Sequence, residues 1–131
     1  MKMESSESPE SLVNRILNSD PGIISCYLMR DPEGAVIAET RKQGLESRFG
    51  SFARAGSGMA PIWGLVALNA FRRMDSERSK MKYVMIAREL FDVLLFPNPW
   101  DDRIVIGIML TKNLEPSRIY EMIVTLIRER K

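Results

Sequence analysis

Histidine is absent from the 131 residues, and cysteine occurs once, as Cys26. The first absence removes the commonest general base, the commonest switch between pH 5 and 8, and the commonest metal ligand. The second excludes an intramolecular disulfide and any multi-cysteine zinc site. With no histidine to activate it and apolar neighbours that raise a thiol pKa, Cys26 reads as a buried structural residue, not a nucleophile. An excess of one charge is also lacking. Lys and Arg number 19 against 17 Asp and Glu, and a net +2 is too small to indicate nucleic acid or a membrane surface as partner. The apolar run Ile62 to Leu68, which no other exceeds in length, falls far short of the ~20 residues that a membrane span needs.

Four further chemistries lack their signatures. The glycines between Gly50 and Gly58 are not followed by the Gly-Lys-Ser/Thr ending of a phosphate loop. Arg54 is a lone cation there, so a loop or a frayed helix start is the simpler reading. Asp101 and Asp102 are adjacent carboxylates, and a metal would need more oxygen ligands converging on them. Trp100, just before them, is balanced between a partner anchor and ordinary loop packing. Arg72, Arg73, Arg78, Lys80 and Lys82 form a basic stretch diluted by Asp75 and Glu77. A nucleic-acid site wants such cations beside exposed aromatics, and only Tyr83 is near. A solvated turn guarding the following edge strand fits better.

What is present suits one compact domain. Hydrophobic residues make up 45% of the chain, enough for a single core at this size. Met1 to Glu7 is polar, serine-rich and without the apolar centre of a signal peptide. The expected organisation is a disordered tail over 1–7 and one domain over 8–131, in a reducing, cytoplasmic setting. Ser8-Pro9-Glu10 supplies a cap, a first-turn proline and an acid at the positive helix end. Leu12, Val13, Ile16 and Leu17 then form one helical stripe.

Ile23 to Arg30 reads as a strand covered on both faces, with Ile24, Cys26 and Leu28 on one and Ile23, Tyr27 and Met29 on the other. Asp31-Pro32-Glu33-Gly34 fits a type I turn, and Ala35 to Thr40 returns. Phe52 to about Met74 reads as mostly helical, with Pro61 either kinking it or starting its stronger half. Ile62, Leu65, Val66 and Phe71 are assigned to one side of it. Trp63, Ala67, Ala70 and Met74 are assigned to the other. A helix apolar nearly all round is buried nearly all round, and one sheet cannot cover both sides, so a partner chain is implied. Met81 to Arg88, Asp92 to Pro97 and Arg103 to Thr111 read as three more strands, with a loop over Asn98 to Asp102. A last helix begins near Asn113, with Pro116 in its first turn and a stripe of Ile119, Met122, Ile123, Leu126 and Ile127.

Three segments resemble the roadblock/LC7 family, within the longin- and profilin-like group. They are Pro21-Gly22-Ile23-Ile24 through Asp31-Pro32-Glu33-Gly34 to Ile37-Ala38, Asp92-Val93-Leu94-Leu95-Phe96-Pro97 with Ile104-Val105-Ile106-Gly107-Ile108, and Lys112-Asn113-Leu114 leading into the last helix. The resemblance covers nearly the whole chain from Ser8. It implies an α+β fold of order α-β-β-α-β-β-β-α: a five-stranded antiparallel sheet with a long middle helix on one face and the terminal helices on the other. Gly50, Gly56, Gly58 and Pro61 depart from the family's uninterrupted middle helix, so a start near Ala60 is the alternative.

The resemblance also implies dimers, of two identical chains or with a paralogous one. Their third strands pair edge to edge, here Tyr83, Val84, Met85, Ile86 and Ala87. Their middle helices pack together, here through Trp63, Ala67, Ala70 and Met74. It further implies a non-catalytic domain without cofactor or metal that binds, scaffolds or regulates a Ras-like small GTPase, with Arg54, Met59, Arg72 and Arg73 as candidate partner contacts. The alternatives are a scaffold or dynein-light-chain-like adaptor without GTPase regulation, and a small-molecule sensor with an apolar cavity.

Overall fold

The computed structural model describes residues 7–30, 35–42, 64, 66, 67, 69–71, 73 and 81–129. The turn at 31–34, the connection over 43–63, and the candidate residues Arg54, Met59, Trp63, Arg72 and Met74 lie outside them.

Helix α1 spans Pro9–Leu17 and starts as its sequence dictates. The Ser8 hydroxyl accepts the Ser11 N–H at 3.1 Å, and Pro9 opens the first turn. Leu12, Val13, Ile16 and Leu17 are its buried face. Glu7, just before α1, packs back onto the helix. Its carboxylate takes the Arg15 guanidinium at 2.7 and 2.8 Å and the Ser11 hydroxyl at 2.9 Å.

Strands β1 (Ile23–Arg30), β2 (Ala35–Arg41), β3 (Val84–Ala87), β4 (Asp92–Asn98) and β5 (Asp101–Leu110) form one sheet in the order β2-β1-β5-β4-β3. Every pairing is antiparallel, and β2 and β3 are the edges. Helix α2 holds the described positions 64, 66, 67, 69–71 and 73, all helical. Helix α3 spans Pro116–Arg128. The fold is therefore the α-β-β-α-β-β-β-α arrangement expected.

Side chains alternate across the sheet and split the core in two. Under α1 and α3 lie Ile23, Cys26, Leu28, Leu94, Phe96, Ile106 and Ile108. Under α2 lie Ile24, Tyr27, Met29, Val93, Leu95, Val105 and Met109, packed against Ala67 and Phe71. The sequence expectation of Ile24 with Cys26 is thus corrected: Ile23 and Ile24 exchange faces. The register of β1 against β5 shifts between Ile23 and Ser25. One extra residue there flips every side chain before it to the other face.

The wheel assigned to the middle helix is corrected too. Gly64, Ala67 and Phe71 are buried, whereas Val66, Asn69 and Arg73 are exposed and Ala70 is half-buried. Spacings of three and four residues put Gly64, Ala67 and Phe71 on one stripe, so Phe71 belongs with Ala67 and not with Val66. Gly64 permits close approach: a β-carbon there would lie 2.3 Å from the Met29 sulfur.

Two boundaries also move. β3 is shorter than Met81 to Arg88: it spans Val84–Ala87, and the Arg88 N–H donates to the Phe91 carbonyl at 3.0 Å to close the hairpin around Glu89 and Leu90. The loop at 98–102 contracts to a turn at Pro99 and Trp100, with Asn98 paired to Asp101. The Asn98 side chain accepts the Trp100 N–H at 2.9 Å, which folds the chain back locally.

Candidate interaction edge

In an antiparallel ladder every second residue turns its backbone groups toward its neighbour. The Arg88–Phe91 bond therefore sets the phase of the β3–β4 pair. Ile86 opposite Val93 and Val84 opposite Leu95 face inward to β4. Met85 and Ala87 turn their N–H and C=O groups away from the sheet. The same alternation carried back two residues turns Tyr83 outward as well. Among the described residues no strand pairs with this outer edge.

The side chains of this edge serve both faces. Val84 and Ile86 pack partly against the core under α2. On the other face, Tyr83 leans on Tyr120 of α3, ring centroids 5.2 Å apart, and Tyr120 meets Phe96 edge-on at 5.2 Å. Met85, next on that face, is 43% exposed. Lys82 is drawn toward α3, 3.4 Å from Glu121.

The candidate contacts on α2 divide. Ala67 is fully buried against the chain's own sheet. Ala70 is half-buried at the border of the outward face. Val66, 52% exposed, lies on that face with Asn69 and Arg73, and Arg73 donates to the Asn69 side chain at 3.0 Å. Sequence reasoning missed Leu90, 59% exposed at the tip of the β3–β4 hairpin. Charged Arg88, Glu89 and Asp92 around it were the available sign of a turn.

Residues weighed for chemistry have structural partners. Burial pushes the Cys26 thiol well above its ordinary range, which disfavours the thiolate. Asp101 accepts from the Arg103 guanidinium at 3.2 Å. Burial opposes its charge, but hydrogen bonds from Arg103 and the charges of Arg103 and Arg30 outweigh burial, and its pKa is lowered. The Trp100 indole donates to the Ile127 carbonyl at 3.0 Å, closing the end of α3, although the side chain is half exposed. Among the described residues no group of three or more Cys, Asp or Glu side chains could hold a metal, and no helix is long and apolar enough to cross a membrane. Two depressions, about 560 Å³ between α1 and α3 and about 580 Å³ beside Leu90 and Lys112, are both open to solvent.

No protein-family model matches the sequence, and no curated protein does. Solved structures do match in shape. The Roadblock/LC7 domain from Streptomyces avermitilis superimposes over 95% of this chain and 94% of its own, with a TM-score of 0.59 and 11% identity. MglC from Myxococcus xanthus does so over 92% and 96%, with a TM-score of 0.61 and 11% identity. Myxococcus xanthus MglB covers 97% and 94%, with a TM-score of 0.61 and 8% identity. The chain has the roadblock/LC7 fold. Identities this low carry architecture alone, so a partner has to be argued from the surface of this chain.

Proposed function

We propose that this roadblock domain is a non-catalytic, cytoplasmic interaction module that pairs with a second copy through β3 and, as a dimer, binds and regulates a Ras-like small GTPase. The observation that carries the pairing is the outer β3 edge, which no strand pairs among the described residues. Its outward backbone groups at Met85 and Ala87 are flanked by apolar side chains, and no charge interrupts residues 83–87. The opposite edge strand, β2, contains Glu39 and Arg41 and is followed by Lys42. Charges on an edge discourage pairing, so the two edges are not equivalent.

The edge alone is smaller than the ~800 Å² per partner of a stable interface. The outward face of α2, with Val66 and Arg73, extends it on one side of the sheet. Twofold symmetry makes both contacts self-complementary. The GTPase assignment rests on the roadblock resemblance. Its mechanism is differential affinity: a dimer that binds one nucleotide state more tightly shifts the GTPase toward that state.

The test measures the solution mass of the protein and its binding to purified Ras-like GTPases loaded with GDP or a non-hydrolysable GTP analogue. A dimer that prefers one nucleotide state supports the proposal. A dimer without state preference, and without effect on exchange or hydrolysis, removes the regulatory part and leaves a scaffold. A monomer at micromolar concentration removes the pairing.

A further inference from the structure

We infer that the two β3 edges pair antiparallel with Met85 directly opposite Met85 of the second copy. This rests on the pairing proposed above and adds its register. The register follows from which backbone groups are free to bond. Outward-facing residues must oppose outward-facing residues, and the outward set is Tyr83, Met85 and Ala87. With the twofold axis at Met85, Tyr83 of each chain opposes Ala87 of the other. All three outward residues are then paired, giving about six inter-chain backbone bonds. Moving the axis to Val84 or Ile86 leaves only two outward residues paired within the segment, and about four bonds.

Side chains favour the same register. On the face shared with α3, Tyr83 meets the small Ala87 of the second copy, and the two Met85 side chains meet at the axis. Tyr83 is already braced by Tyr120, so a small neighbour suits it. Met85 is half exposed in the single chain and is unbranched, which lets two copies share one gap. On the α2 face, Val84 opposes Ile86 of the second copy, two β-branched side chains in a cross-strand pair. With the axis at Ile86, Val84 would oppose Arg88 instead. With the axis at Val84, Ile86 would oppose Lys82. One cost remains in the favoured register, because Lys82 then faces Arg88 of the second copy. Glu121, 3.4 Å from the Lys82 ammonium, offsets part of it.

Cysteine cross-linking reads the register directly. Opposed residues in this kind of pair have Cα atoms about 5.5 Å apart, inside the ~4.4–6.8 Å span of a disulfide. Diagonal neighbours lie beyond it, at about 7–8 Å. Met85→Cys, Val84→Cys and Ile86→Cys are made separately in the full chain, with native Cys26 kept because it is fully buried. Solution mass is measured before mild oxidation, and circular dichroism checks that each variant is folded. The expected result is covalent dimer for Met85→Cys in at least tenfold excess over the other two. Stronger cross-linking at Val84 or Ile86 overturns the register and leaves the pairing intact. A dimeric mass with no cross-link at any position overturns both the register and the use of β3. A monomeric wild type overturns the parent proposal and the register with it.

Discussion

Proline at two adjacent positions of β3 should separate folding from association. Val84 turns inward and exchanges backbone bonds with Leu95, whereas Met85 turns outward. Val84→Pro deletes an intramolecular donor and leaves the buried Leu95 carbonyl short of a partner. A lost backbone bond costs about 1 kcal/mol, and an unsatisfied buried acceptor adds about 1–3 kcal/mol. The monomer should therefore lose roughly 2–4 kcal/mol of stability. Met85→Pro deletes no bond within the chain, since its N–H faces outward on an edge where proline is tolerated. In the dimer it deletes both Met85-to-Met85 bonds at once. At about 1 kcal/mol each, with some penalty for the acceptors left behind, association should weaken by about 2–3 kcal/mol, or roughly 30- to 150-fold in Kd.

The assay pairs urea unfolding at low concentration with sedimentation across a dilution series. The expected outcome is a Met85→Pro protein that unfolds within about 1 kcal/mol of wild type but dissociates at far higher concentration. Equal loss of stability in the two variants would refute the assignment of inward and outward groups. Unchanged dissociation of Met85→Pro would refute β3 as the interface.

Gly107→Ala should destabilise the fold, because its β-carbon would lie 2.2 and 2.4 Å from Tyr27 ring atoms, and Tyr27 is only 1% exposed. We expect a loss of about 2 kcal/mol, relieved by more than half in a Tyr27→Leu background; an undiminished loss there would show that the ring is not the obstacle. Trp100→Phe removes the bond to the Ile127 carbonyl and should cost about 1 kcal/mol, with earlier amide exchange confined to the last turn of α3. Asp101 has a lowered pKa in the folded state, so its contribution is present above the unfolded carboxylate range and disappears as pH falls through the folded value. The stability difference between wild type and Asp101→Asn should accordingly shrink from pH 6 to pH 3, and a constant difference would count against the ion pair.

Much of the fold was legible because local and global signals agree. Ser8 and Pro9 mark the start of α1 by short-range capping chemistry, which requires no knowledge of the tertiary structure. The strands β4 and β5 carry apolar residues on both faces, which only a doubly covered sheet explains. The exchange of Ile23 and Ile24 was not legible. It depends on the register of β1 against β5, strands separated by most of the chain. The stripe of α2 was obscured for a different reason. Two of its buried positions are Gly64 and Ala67, which contribute little hydrophobicity yet decide how closely the helix approaches Met29. A pattern weighted by side-chain size looks past the residues that set the contact.

At the candidate edge, the choice of strand and the phase of its backbone groups come from different sources. The family resemblance points to Tyr83 through Ala87, an uncharged β-prone run bounded by Lys82 and Arg88. It cannot say which of the five turn their backbone outward, because that phase is set by one hydrogen bond at the hairpin, Arg88 to Phe91. Once the phase is fixed, the odd-numbered residues become the bonding set and the even-numbered ones belong to the chain's own sheet. The same residue list then supports a definite register. The short length of β3 narrows it further: a long edge would tolerate sliding by two residues, but over so few positions each slide forfeits about a third of the bonds. A brief edge is thereby a more specific one, and its specificity derives from length as much as from side chains.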